Sequence, residues 1–250
     1  MSVYQVDKLW AKLGELEATQ EGTDLEEYAR FADDLPGFMR YCWPGIRLVR
    51  GLLEIGEAVV GGGLIAVAGA NGVGKSFFMS RVILWNLYAR WRMGVITSQT
   101  TRQLRDGPMR EMRTAWASAG LPGQLYEQGL VLDRTKDQVV YAFASDSLSR
   151  LQGYHAGSGL LLWVDEAQGA ENRVVDAALA SATGTDDVVV LTGNALYRRG
   201  KFYDVFQSKH WTKLRLPATD HPNLTGEGDP IPGAISPEGV ERIRLEWGED

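Results

Sequence analysis

Eight consecutive residues constrain this chain more than any others: Gly69-Ala70-Asn71-Gly72-Val73-Gly74-Lys75-Ser76. They satisfy G-x-x-x-x-G-K-[ST], the P-loop pattern. Before them runs Leu64-Ile65-Ala66-Val67-Ala68, a short apolar strand, and after them Phe77 to Leu84 reads as a helix. Strand, glycine loop and helix is the context the pattern needs. Glycines let the backbone curl until its N–H groups point inward at a phosphate. The helix N-terminus adds partial positive charge. Lys75 then reaches β- and γ-phosphates, and the Ser76 hydroxyl ligates magnesium. Gly69, Ala70, Asn71, Gly72, Val73, Gly74, Lys75 and Ser76 are therefore the expected ATP-binding residues, with Lys75 also catalytic and Mg2+ the expected metal. The alternative is a glycine-rich surface turn after a strand.

A second run completes the chemistry. Leu161-Leu162-Trp163-Val164-Asp165-Glu166 is an apolar strand ending in two acids, the Walker B pattern. In an open parallel sheet, ligands bind beyond the carboxyl ends of the strands. Asp165 would sit opposite the P-loop and hold magnesium. Glu166 would polarise a water for attack on the γ-phosphorus. The alternative is an acid-rich helix start. Val189-Val190-Leu191-Thr192-Gly193-Asn194 repeats the logic: a buried strand ends in small polar residues at the same edge. Thr192 or Asn194 could touch the γ-phosphate or the water, and Gly193 allows close approach. The alternative is an ordinary turn.

The rest of the chain alternates strand and helix, as in an α/β sheet. Residues 1–35 are acidic and helical in spacing, whereas Leu35-Pro36-Gly37 and Trp43-Pro44-Gly45 read as breakers. Ile46 to Val60 suggests a helix, Met93 to Ser98 a strand, and 101–118 one helix. Leu130-Val131-Leu132 and Val139 to Phe143 read as strands around a polar turn. Asn172 to Ala182 reads as a helix and Trp211 to Leu216 as a last strand. After Pro217 prolines and glycines accumulate, and 236–246 reads as a short charged helix. The expected fold is an α/β P-loop NTPase of the additional-strand (RecA-like) type, with a mostly parallel central sheet flanked by helices. Residues 1–216 would form the ATPase domain (1–60 a helical segment, 61–216 the core) and 217–250 a small lid or linker. The runs do not order the strands.

Composition narrows the setting. The net charge of −6 argues against a passive nucleic-acid coat, but local patches decide DNA contact. Two clusters are basic: Arg102, Arg105, Arg110 and Arg113, and Arg198, Arg199, Lys201, Lys209, Lys213 and Arg215. Each is either a DNA contact or a solvated face. Cys42 is the single cysteine, which excludes an internal disulfide and a cysteine zinc site and fits a reducing compartment. The first residues lack the basic start and apolar stretch of a signal peptide, and no apolar run is long enough for a membrane span.

In order, these motifs resemble the ATPase half of large terminase subunits, the DNA-packaging motors of tailed bacteriophages and herpesviruses. Thr97-Ser98-Gln99-Thr100-Thr101-Arg102-Gln103 resembles the family's A-P-T-x-x-Q segment. Leu151-Gln152-Gly153-Tyr154-His155-Ala156 resembles its Q-G-[FY]-H-A. Asp165-Glu166-Ala167 is its D-E-A. Thr192-Gly193-Asn194, followed by Gly200-Lys201-Phe202-Tyr203, resembles its coupling motif, and Asp220-His221-Pro222-Asn223 is also similar. The resemblance spans about residues 60–247. It implies translocation of double-stranded DNA into a procapsid in the host cytoplasm. It also implies a portal protein and a small terminase subunit as partners. A pentameric ring would form when docked, with a monomer in isolation. Thr192, Gly193 and Asn194 would be the coupling sensor.

There are departures. Many relatives carry a P-loop arginine where this chain has Asn71, so Arg102, Arg105 and Arg150 become candidates for a finger supplied by a neighbouring subunit. The upstream glutamine that recognises adenine has no counterpart in Trp43-Pro44-Gly45-Ile46-Arg47. The acids of the family's nuclease domain are absent after 217, so nuclease activity is not expected of this chain: it reads as an ATPase fragment, the alternative being a nuclease carried by a separate protein. His155 reads as structural rather than catalytic. Two rival readings remain: another nucleic-acid-dependent P-loop ATPase of helicase or recombinase type, and a nucleotide-binding switch with little turnover.

Overall fold

A computed structural model describes residues 25–133, 137–144, 157–195 and 198–247. Its strands are β1 (Gly63–Gly69), β2 (Met93–Ser98), β3 (Gln124–Tyr126), β4 (Gly129–Asp133), β5 (Gln138–Ala144), β6 (Leu160–Val164), β7 (Val188–Gly193) and β8 (Thr212–Leu216). They make one sheet in the order β3-β4-β5-β2-β6-β7-β1-β8. β5, β2, β6, β7, β1 and β8 run parallel, and β3 and β4 join antiparallel at one edge. β7 lies between the P-loop strand β1 and the Asp165 strand β6. That insertion is the additional-strand architecture expected from the motifs.

The central strands read as continuous apolar runs because both faces are covered. Alternate residues point to opposite faces. Ile65, Val67, Leu161, Trp163, Val188 and Val190 enter one core, while Ala66, Ala68, Leu160, Leu162, Val189 and Leu191 enter the other. The first face carries α1 (Glu26–Ala29), α2 (Leu35–Cys42), α3 (Arg50–Gly61) and α4 (Lys75–Tyr88). α4 is buried on every side from Phe78 to Tyr88. Two of its buried polar residues find acceptors inside: Asn86 donates to the Met93 carbonyl (3.1 Å) and Ser80 to that of Ser76 (2.7 Å). A helix buried all round and led by the P-loop fixes that loop rigidly to the sheet.

Two expectations are corrected. Leu35-Pro36-Gly37 does not break the chain but opens α2. Asp34 caps that helix, accepting from the Gly37 amide at 2.8 Å. Proline is tolerated in a first turn because the N–H it lacks has no intrahelical partner there. The single helix expected over 101–118 is composite: α5 (Thr101–Leu104), a π-helical turn Arg105–Met109 and α6 (Arg110–Ala119). Pro108 lies inside that turn and cannot donate to the regular ladder, so the backbone widens to pass it. The sequence reading also missed β3 and the short helix α8 (Lys201–Val205), which follows α7 (Asn172–Ser181) on the second face. The helix expected over 1–35 lies outside the described residues as far as 24.

Beyond β8 the chain turns through α9 (Pro222–Thr225) and reaches α10 (Pro237–Trp247). Asn223 organises this segment. Its side chain donates to the carbonyls of Ile231 (3.0 Å) and Ile235 (2.9 Å) and accepts from the Ile231 amide (2.7 Å). The Ile235 amide then donates to the Gly72 carbonyl at 2.9 Å, which docks the segment on the P-loop. Asn223→Ala should loosen the residue 231–235 turn. At about 1.4 kcal/mol for the lost bonds, its amides should exchange with solvent roughly tenfold faster by hydrogen–deuterium exchange, with the β1 amides unchanged.

Candidate functional site

The P-loop curls where glycine permits it. Gly72 and Gly74 sit at φ +77° and +90°, in the left-handed region. At Gly72 a Cβ would also lie 3.1 Å from the Ile235 nitrogen, so glycine is needed for both curl and contact. Lys75, the first residue of α4, is buried at 7% exposure. A buried ammonium must have acceptors. Its Nζ donates to the carbonyls of Gly69 (2.8 Å) and Ala70 (2.7 Å) and to Asn194 Oδ1 (2.9 Å). Burial pulls its pKa down, opposed by the charges of Glu166 and Asp165.

Asp165 follows β6 and is 3% exposed. The Ser76 hydroxyl faces its Oδ2 at 3.4 Å. Its Oδ1 accepts from Thr192 Oγ1 at 2.7 Å, and that hydroxyl accepts from Trp163 Nε1 at 2.7 Å. Burial pushes the Asp165 carboxyl up to about 6, against the lowering effect of the Thr192 hydrogen bond. Such a carboxylate, short of positive charge beside a hydroxyl, has the chemistry of a magnesium site completed by phosphate oxygens and water. The residues fit the ion: Ser76 and Asp165 would hold it, and it would neutralise phosphate charge.

Glu166 adopts φ +53°, a strained conformation for a residue with a Cβ. Its carboxylate accepts from Gln168 Nε2. The Ala167 amide donates to the Thr192 carbonyl at 2.9 Å, which pins this loop to β7. Asn194, at the end of β7, touches both halves of the site. Its Nδ2 donates to Asn71 Oδ1 (2.8 Å), and its backbone N–H donates to Gln168 Oε1 (3.0 Å). Lys75, Ser76, Asn71, Asp165, Glu166, Thr192 and Asn194 thus meet in one polar cluster. Such a cluster can bind a phosphate, hold a divalent cation and orient a water.

The finger candidates stand apart. Arg102 and Arg105 are exposed beyond β2, and both pair with Asp106, at 3.6 and 2.8 Å. Asp106 draws the Arg105 pKa up, and its own is drawn down by Arg105. Arg150, His155 and the Leu151–Ala156 segment lie outside the described residues. Thr100 caps α5: the Gln103 amide donates to Thr100 Oγ1 at 3.2 Å, and that hydroxyl donates to Gln103 Oε1 at 3.0 Å.

Sequence reasoning missed two features. One is Gln168. The other is a cavity of roughly 480 Å³ beside the P-loop, lined by Val49, Val73, Arg215, Leu216, Pro217 and His221 among others. Trp43 to Arg47, which lacks the family's base-recognition glutamine, contributes nothing to that lining. His221 is buried, accepts from the Asn223 amide at Nδ1 (3.2 Å), and has its pKa pulled down by burial and then by Arg47. Pairing of β8 with β1 sets Arg215 and Leu216 beside the P-loop, and the turn after β8 adds Pro217 and His221.

No protein-family model matches the chain, and no curated protein matches it in sequence. Among solved structures it is similar to the large terminase ATPase domain of Thermus phage P74-26: 14% identity, TM-score 0.61, 86% of this chain and 93% of that one. It is also similar to the large terminase of a thermophilic bacteriophage: 15% identity, TM-score 0.59, 80% of this chain and 50% of that one. The latter protein in complex with ATP-gamma-S gives 16% identity and TM-score 0.57 over 79% of this chain and 49% of that one. The chain thus spans about half the length of that thermophilic-phage terminase. No helix among the described residues is long and apolar enough to cross a membrane. Strand order, P-loop and neighbours agree: the chain has the P-loop NTPase fold of phage large-terminase ATPase domains.

Proposed function

We propose that this chain is the ATP-hydrolysing motor domain of a viral large terminase, coupling hydrolysis to translocation of double-stranded DNA into a procapsid. The observation that carries the reading is one hydrogen-bonded set. It joins the P-loop, through Lys75 and Asn71, to the sensor position Asn194 and on to the acid loop of Asp165 and Glu166. A simple binding switch has no need of a base wired to a phosphate contact.

In this reading the Gly69–Ser76 backbone cradles the phosphates, and Lys75 turns from its carbonyls to the β- and γ-oxygens. Ser76 and Asp165 would hold Mg2+, which would supply charge neutralisation. Glu166 orients and deprotonates the attacking water. The adenine ring lies in the cavity beside Val73 and Pro217. Thr192-Gly193-Asn194 reports loss of the γ-phosphate to residues 217–250, which act as lid and linker to the 1–216 ATPase domain. The positive charge missing from Asn71 comes from a neighbouring subunit, through Arg102, Arg105 or Arg150, in a pentameric ring on the portal. The small terminase subunit delivers the duplex. The setting is the host cytoplasm.

Glu166→Gln should keep ATP binding and lower turnover by about two to four orders of magnitude, measured by phosphate release beside nucleotide affinity. Normal turnover in that variant would show that Glu166 is not the base. Lys75→Ala should abolish hydrolysis and weaken binding of a fluorescent ATP analogue. Steady-state ATPase with no DNA, single-stranded DNA and duplex separates the motor from a helicase: stimulation by duplex is expected. Stimulation by single strands alone would point to the helicase class.

A further inference from the structure

Gln168 belongs to neither the P-loop, the acid pair nor the coupling segment, yet it touches the last two. Its Nε2 donates to the Glu166 carboxylate, and its Oε1 accepts from the Asn194 backbone N–H at 3.0 Å. One orientation of the amide serves both partners. Turned over, it would set its oxygen against a carboxylate and its NH2 against an N–H.

The surroundings are shaped around this contact. A Cβ at Gly193 would lie 2.3 Å from Gln168 Oε1 and 3.2 Å from its backbone nitrogen. Glycine at the end of β7 therefore makes room for Gln168. The loop that carries it is held to the sheet on two strands, by the Asp165 amide on the Thr97 carbonyl (2.8 Å) and the Ala167 amide on that of Thr192 (2.9 Å). Glu166 sits within the loop at φ +53°, so its direction depends on the contacts that hold the loop.

We infer that Gln168 is a positioning residue that aims Glu166 and makes its aim depend on Asn194. Asn194 is in turn held by Lys75 (2.9 Å) and Asn71 (2.8 Å). A phosphate oxygen is a stronger acceptor for the Lys75 ammonium than a neutral amide. When phosphate draws Lys75 away, Asn194 loses a partner, and its displacement reaches Glu166 through the single amide of Gln168. The polar path runs Lys75, Asn194, Gln168, Glu166. This inference rests on the ATP-hydrolysis reading above.

The test uses the full chain with Gln168→Met, which keeps the volume against Gly193 and removes both hydrogen bonds. Gln168→Glu keeps the acceptor for Asn194 and replaces the donor to Glu166 with a like charge. Single-turnover ATP hydrolysis, affinity for a fluorescent non-hydrolysable ATP analogue and the thermal unfolding midpoint are measured for each. Both variants should hydrolyse about a hundredfold more slowly, with affinity unchanged and the midpoint lowered by only a few degrees, far too little to unfold the chain at the assay temperature. In a Glu166→Gln background, Gln168→Met should cause no further loss, because a residue acting through Glu166 has nothing left to aim.

Hydrolysis by Gln168→Met at the unaltered rate overturns the inference and leaves the ATPase reading standing. So does a loss of rate that tracks affinity or midpoint, or a full additional loss in the double variant. An unaltered protein that binds the analogue but turns over no ATP overturns both.

Discussion

The position of β7 between β1 and β6 is the constraint on which the site depends. Adjacent parallel strands lie about 4.8 Å apart, so the P-loop and the Asp165–Glu166 loop are separated by one strand width on either side of β7. That gap is too wide for direct contact between most of their groups and about right for one intervening residue. Thr192 fills it at the level of Asp165, and Asn194 fills it at the level of Lys75 and Asn71. If β1 and β6 were neighbours, the end of β7 could not stand between the P-loop and the acids.

The electrostatics follow from the same placement. Lys75 and Asp165 are both nearly inaccessible, and charges taken out of water are costly unless paired and hydrogen-bonded. Each is met by neutral dipoles: carbonyls and Asn194 at the lysine, a threonine hydroxyl at the aspartate. Neutral partners satisfy these groups without neutralising them. The lysine keeps its attraction for an anion and the aspartate for a cation. The shifts agree, the lysine falling and the aspartate rising as burial penalises each charge. In the proposed reading, a bound phosphate with a divalent ion would relieve both.

Around this centre the structure is stiff on one side and adjustable on the other. α4 behind the P-loop is packed on all faces, anchored by Asn86 and Ser80 and by Trp85 Nε1 on the Phe31 carbonyl at 2.7 Å. The segment after β8 has little apolar burial. It is held by the Asn223 bonds, by the Arg47 guanidinium on the Glu227 and Asp229 carbonyls and by the Ile235–Gly72 contact. Segments held by a few polar bonds open most easily. The segment that lines the cavity beside Val73 is therefore tied to the P-loop by few bonds.

The sequence alone was sufficient wherever structure is written in consecutive residues. The glycine loop, the apolar runs of β2 and β6 and the polar ends of β6 and β7 were readable because a buried parallel strand must be apolar throughout and its ligand-facing end need not be. Local context misled at Pro36, where a breaker in isolation becomes a first-turn residue once Asp34 caps the helix. It misled again at Pro108, which a π-helical turn absorbs. Tertiary structure alone decided the rest. Strand order leaves no trace in the runs themselves, because every central strand meets the same apolar environment. The bridge from Lys75 to Asn194 spans residues far apart in the chain, and the amide of Gln168 gains its meaning only when Gly193 lies against it. Which residues are candidates for the chemistry is a matter of side-chain type and local pattern; which of them share a hydrogen bond is a matter of how the strands were laid down.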